Sequence, residues 1–112
     1  MEDNERIALT ILDQLGSNRF KVMTGAKHLS FDAQGALSFL LPIGKAGGCR
    51  IELDPNDTYT VIFYKREQWK TVAKNGHRTE LSRHEGVYVD GLRELFERET
   101  GLYLTLGKVV FA

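Results

Sequence analysis

The chain has little cysteine and little proline, one Cys and two Pro in 112 residues. A lone thiol, Cys49, cannot close an intramolecular disulfide, which excludes a disulfide framework and leads us to expect a reducing, cytoplasmic compartment. Long apolar runs are missing as well: none approaches the ~20 residues that cross a bilayer. The start, Met-Glu-Asp-Asn-Glu, carries the opposite charge to a basic signal or transit peptide. Net charge is also lacking, with fifteen Lys and Arg against fifteen Asp and Glu. The sum therefore favours neither a nucleic-acid nor a membrane partner.

What is present is an ordinary folding composition, 42% hydrophobic and 27% charged. The length suits one domain over residues 1–112, enough to bury roughly two-thirds of its unfolded surface around a single core. Charge is unevenly distributed along it. Residues 19–84 hold eleven Lys and Arg against six acids, a surplus of five, while both ends are acidic.

The organising stretch is Arg50 to Glu67. Ile51 and Leu53 alternate with Arg50 and Glu52, and Tyr59 to Tyr64 is β-branched or aromatic throughout, as a pleated and largely buried strand requires. Asp54-Pro55-Asn56-Asp57 between them is a turn, so a hairpin is expected. Tyr59, Val61 and Phe63 fall on one face of its second strand, and Ile62 and Tyr64 on the other.

Before it, Ile7, Ala8, Ile11, Leu12 and Leu15 make a helical stripe behind a cap at Asn4, with Gly16 as the stop and Arg6, Thr10, Asp13 and Gln14 on the solvated side. Phe20, Val22 and Thr24 alternate with Lys21 and Met23, predicting a strand from Arg19 that Gly25 interrupts. Leu29 to Phe31 and Ala36 to Leu41 predict two more, joined by a turn over Asp32 to Gly35 and ended by Pro42. After the hairpin, Trp69 to Lys74 is read as a strand, Asn75-Gly76 as a hairpin turn, His77 to Leu81 as the returning strand and Ser82 to Gly86 as loop. Tyr88, Leu92, Leu95 and Phe96 stripe a second helix ended by Gly101, and apolar segments follow at Tyr103 to Leu106 and Lys108 to Phe111. The expected fold is α+β: an antiparallel sheet of about five or six strands, with an N-terminal and a C-terminal helix packed on one face.

The residues nominate no catalytic, cofactor-binding or metal-ligating set, and no cofactor is expected. His28, His77 and His84 show no paired-ligand spacing. Cys49 is read as a small buried hydrophobe. Gly44-Lys45-Ala46-Gly47-Gly48 lacks the Ser or Thr and the helix that a phosphate loop needs, and Thr24-Gly25-Ala26-Lys27 is explained by a strand-ending turn. One cluster stands out as a candidate partner surface: Tyr64, Lys65, Arg66, Trp69, Lys70 and Lys74. Rings interleaved with cations are what single-stranded nucleic acid needs, since rings stack bases and cations hold phosphates.

Three segments, Leu15-Gly-Ser-Asn-Arg-Phe-Lys-Val-Met-Thr-Gly-Ala-Lys27, Asp57-Thr-Tyr-Thr-Val-Ile-Phe63 and Glu85-Gly-Val-Tyr-Val-Asp-Gly-Leu-Arg-Glu-Leu-Phe96 with Thr100-Gly-Leu-Tyr103 after it, together resemble a family of small uncharacterised proteins of bacteriophages and bacterial mobile elements. The chain departs from that pattern in a longer Asn75 to Ser82 segment and an added Gly107 to Ala112 tail. The resemblance implies a bacterial cytoplasm and an accessory protein acting on a host or mobile-element component, and it carries no residue roles. The first functional expectation is a small non-enzymatic binding protein with a protein partner, such as an inhibitor of a host protein. The alternative is a single-stranded nucleic-acid-binding domain using the Tyr64 to Lys74 surface. A second copy of the chain, covering an apolar outer sheet face, is a further candidate partner.

Overall fold

The computed structural model describes residues 2–102, the side chains of residues 2–4 and 69 excepted. The elements run α1 (Glu2–Leu15), α2 (Ser17–Thr24), β1 (Lys27–Phe31), β2 (Leu37–Leu40), β3 (Gly48–Leu53), β4 (Tyr59–Tyr64), α3 (Trp69–Asn75), β5 (Glu80–Val87) and α4 (Val89–Thr100). Each strand pairs antiparallel with the next, giving one sheet in the order β1-β2-β3-β4-β5. The α+β class, the antiparallel sheet and the terminal helices are as expected, with five strands.

Side chains from α1, α2 and α4 meet one face of this sheet. Ala8, Ile11 and Leu15 of α1, Phe20 of α2 and Leu92, Leu95 and Phe96 of α4 pack on Phe39, Ile51, Val61 and Phe63. The helical stripes predicted for α1 and α4 are the ones buried. Phe96 is the hub, its ring 5.5 Å from Phe20, 6.1 Å from Phe39 and 6.2 Å from Phe63, while Phe20 and Phe39 meet edge-on at 5.0 Å. Each such ring stabilises the fold by about 1.5–3 kcal/mol through area alone. Polar ties fix the helices laterally. Gln14, expected on the solvated side of α1, instead accepts the Tyr59 hydroxyl at 2.6 Å, and its carbonyl accepts Nε of Arg93 from α4 at 2.7 Å.

Four local expectations are corrected. Phe20, Val22 and Thr24 belong to a helix, not a strand: Phe20 and Thr24 are buried one turn apart, while Val22 is 82% exposed. A spacing of four suits both periods, so the alternation misled. Trp69 to Lys74 is also helical, and the Asn75-Gly76 pair ends that helix rather than turning a hairpin: Gly76 takes φ 79° and donates its amide to Val72. The left-handed conformation that makes Asn-Gly a good hairpin turn equally makes it a good helix stop. Ser82 to Gly86 is the body of β5, paired to β4 from Tyr59 to Tyr64. Being an edge strand half open to water, it carries few apolar residues. Asn4 lies inside the first turn of α1 and does not cap it. The segments Tyr103 to Leu106 and Lys108 to Phe111 lie outside the described residues.

The other face of the sheet is covered differently. Opposed residues share a face, so Ser30, Ser38, Arg50, Ile62 and Arg83 form one row across it. Ile62 is only 2% exposed although no helix packs there among the described residues; the stems of its cross-strand neighbours Arg50 and Arg83 are placed to cover it. With Arg50 paired to Asp32 at 2.5 Å and Glu52 at 2.8 Å, and Arg83 to Glu80 at 2.6 Å, this face offers charge networks. Among the described residues, the Ser30 to Arg83 row of this face is polar and charged apart from the buried Ile62.

Candidate functional site: the cationic end of the sheet

The last row of the outer face runs Lys27, Leu40, Gly48, Tyr64, Glu80 across all five strands. Gly48 contributes no side chain, and that gap is filled from outside the row. The Arg78 guanidinium occupies the space a Cβ at Gly48 would need, and lies 5.4 Å from the Tyr64 ring centroid. Stacking of this kind stabilises by about 0.5–1 kcal/mol at an exposed site. It also holds the guanidinium against the sheet end, over the bare Gly48 backbone.

Beyond Tyr64 the chain leaves the strand without losing its ties. The Lys65 amide donates to the Thr79 carbonyl at 2.9 Å, and Arg66 swings back so that its Nη2 donates to the carbonyls of Ala46 at 2.8 Å and Leu41 at 3.2 Å. This return requires a glycine at 47, because a Cβ there would run into the Arg66 backbone. Glu67 accepts both the amide and the hydroxyl of Thr79 at 2.9 Å. Those two bonds, helped by the nearby charges of Lys65 and Arg78, hold its carboxyl below the usual carboxylate range, so it stays ionised.

On the opposite side stands His28, in a bulge of β1 where His28 and Leu29, between Lys27 and Ser30, face the single residue Phe39 between Leu40 and Ser38. His28 takes φ 55°, left-handed backbone that costs a non-glycine residue roughly 1–2 kcal/mol. Bulges re-aim side chains and cluster beside functional sites. Between the bulge and the Arg66 return lies a cleft of about 220 Å³, with Lys27, His28, Arg66, Glu67 and Arg78 around it and Leu40, Leu41 and Pro42 as its apolar wall.

Electrostatically this end differs from the rest of the outer face. Arg50 and Arg83 are spent on carboxylates, whereas Lys27, Lys65, Arg66 and Arg78 make no ion pair among the described residues. Of the candidate surface, Tyr64, Lys65 and Arg66 are therefore brought together here. Lys70 and Lys74 are elsewhere, exposed on successive turns of α3 and not on the sheet. The Trp69 side chain lies outside the described residues. Lys27, His28 and Arg78 complete the site although they are far apart in sequence; the only local sign was the positive surplus of the middle segment.

A second cluster was not legible at all. Ser82 of β5 donates to Glu99 Oε1 of α4 at 3.1 Å, and His84 Nε2 lies 3.2 Å from both Ser82 Oγ and Glu99 Oε1. In a nucleophile triad the acid orients one ring nitrogen and the other takes the serine proton. Here both partners share Nε2, a geometry that differs from the triad and ties α4 to β5. Burial pushes the Glu99 carboxyl up, but the Ser82 and His84 hydrogen bonds with the His84 and Arg98 charges outweigh it and leave it low. Cys49 is fully buried and its thiol is pushed well above the ordinary range. In the glycine-rich stretch the Lys45 amide donates to Thr100 and the Gly47 amide to Tyr64, leaving neither to cradle an anion. Among the described residues, no three of His, Cys, Asp and Glu converge as metal ligands, and no helix is long and apolar enough to cross a membrane. Comparison with known proteins finds no family model, no curated protein and no solved structure that the chain matches.

Proposed function

We propose that this chain is a non-enzymatic binding protein whose contact surface is the cationic end of its sheet, and that it takes an acidic segment of a protein partner. The observation that carries the reading is the convergence of Lys27, Arg66 and Arg78 on one cleft, with Lys65 next to Arg66 in the chain and none of the four in an ion pair among the described residues, on a scaffold whose other outer-face arginines are neutralised. Cations left unpaired beside well-paired ones favour an external counter-charge, and complementary charge speeds encounter as well as selecting partners. The resemblance to phage and mobile-element proteins would make that partner a bacterial protein.

Single-stranded nucleic acid is the second reading, and Tyr64 among Lys65 and Arg66 is what favours it. It ranks below the first because Arg78 already lies on the Tyr64 ring. A base would have to displace it before stacking. Titration of the isotopically labelled chain with a Glu-rich peptide and with oligo-dT separates the two. The expected result is peptide-induced shifts confined to residues around Lys27, Lys65 and Arg78, abolished by Lys65→Glu with Arg78→Glu. Preferential binding of oligo-dT, weakened by Tyr64→Leu, would reverse the order; shifts elsewhere with either probe would remove this surface from consideration.

A further inference from the structure

We propose that the cleft between the β1 bulge and the Arg66 return is a phosphate pocket, taking the dianion of a phosphorylated side chain on the partner. This rests on the reading of the sheet end as a protein-binding surface, and it narrows the partner to a phosphorylated one.

The two guanidinium groups are held in place before any ligand arrives, and among the described residues neither makes an ion pair with a carboxylate. Arg66 is fixed by the Ala46 and Leu41 carbonyls through Nη2 alone, which leaves its remaining N–H groups uncommitted; Arg78 is fixed by the Tyr64 ring and the bare Gly48 backbone. A fork fixed in advance loses little freedom on binding, and arginine forks match phosphate oxygens bidentately. Lys27 adds a third cation and His28 a ring N–H, presented by a bulge that uses left-handed backbone where glycine is the usual occupant. One negative charge faces them, Glu67, whose two oxygens both accept from Thr79. Three cations against one carboxylate leave a surplus of two, which matches the ~1.5 to 2 negative charges of a phosphomonoester near neutrality. A single carboxylate would satisfy only half of it.

Size points the same way. At about 220 Å³ the cleft is below the ~300 Å³ at which small-molecule pockets begin, so a whole nucleotide does not fit, whereas a phosphate and the short stem carrying it do. The Leu40, Leu41 and Pro42 wall keeps water from that side and lowers the local dielectric, which strengthens each contact.

The test uses the full chain and two nine-residue peptide pools with randomised flanks, one with a central phosphoserine and one with a central Glu. Calorimetry should show the phosphoserine pool binding on the order of tenfold more tightly, the equivalent of about 1.4 kcal/mol. Arg78→Gln should remove that preference, while Lys65→Gln, outside the cleft, should weaken both pools alike. Inorganic phosphate at millimolar concentration should shift the amides of Lys27, His28 and Arg78. Because Arg66 also ties loops together, Arg78→Gln and Lys27→Gln are the informative variants, each checked for an unchanged far-ultraviolet spectrum. Equal binding of the two pools would overturn the phosphate pocket and leave the acidic-partner reading standing. No binding of either pool would overturn both. A phosphoserine preference that survives Arg78→Gln and Lys27→Gln would show that the phosphate lies elsewhere.

Discussion

Gly47 and Gly48 are neighbours, yet adding one methyl group to each should have opposite consequences. At Gly47 a Cβ would collide with the Arg66 backbone, which cannot step aside because the Gly47 amide and carbonyl are bonded to Tyr64 and Leu41 and the Arg66 side chain is bonded to Ala46 and Leu41. Overpacking of this kind costs about 1–3 kcal/mol and occasionally more, and the ~0.5–1 kcal/mol gained by replacing glycine does not offset it. We expect Gly47→Ala to lose about 2 kcal/mol. At Gly48 the same methyl meets only the Arg78 guanidinium, the far end of a flexible side chain. Gly48→Ala should therefore lose the ~0.5–1 kcal/mol ring contact and regain a similar amount from backbone entropy. Its net stability should stay within ~0.5 kcal/mol of the parent. Urea unfolding followed by circular dichroism measures both. With m of about 1.5 kcal/mol/M, the Gly47→Ala midpoint should fall by more than ~1 M and that of Gly48→Ala should barely move. Equal midpoints for the two variants would refute the placement of Arg66 against Gly47, and with it the geometry of the cleft.

Phe96→Ala, at the centre of the four-ring cluster, should cost about 3–5 kcal/mol, whereas Val22→Ala on the open side of α2 should cost nothing measurable. A large loss at Val22 would restore the strand reading of that segment. Stability should also fall in acid. For Asp32, burial raises the carboxyl while Arg50 and the Gln34 and Ala36 amides lower it further; Glu67 is lowered by Thr79, and Glu99 ends low as well. Folded carboxyls depressed in this way contribute stability that is fully present above their ordinary values near ~4 and is lost as pH falls through the lower folded ones. Urea midpoints should thus be level down to about pH 5 and drop below about pH 4. Removing Glu99 by Glu99→Gln should make the drop shallower, and an unchanged profile would count against the Ser82, His84 and Glu99 contact.

Much of the fold was legible because its signals are local and redundant. Ile7, Ala8, Ile11, Leu12 and Leu15 can form one apolar stripe only as a helix, and Tyr59 to Tyr64, flanked by a proline turn, can only be a central strand. Cys49 was readable as a buried small hydrophobe because it follows two glycines at a strand start with no recognisable motif around it, and it is buried. Where two periods shared a signal the decision passed to packing. Phe20 and Thr24 fit a strand or a helix equally until Phe39 and Phe96 are in place to receive one face. Trp69 to Asn75 and Ser82 to Gly86 had no apolar pattern strong enough to choose. The site was the least readable part, because its charges arrive from β1, from the turn after β4 and from the loop before β5. Which cations are spent on carboxylates and which remain is a matter of distances between strands. The chain alone determined a hairpin-built sheet with two oily helices. Only the tertiary structure decided that Lys27, His28, Arg66 and Arg78 face one another, since antiparallel register, and no spacing along the sequence, sets what lies across from what.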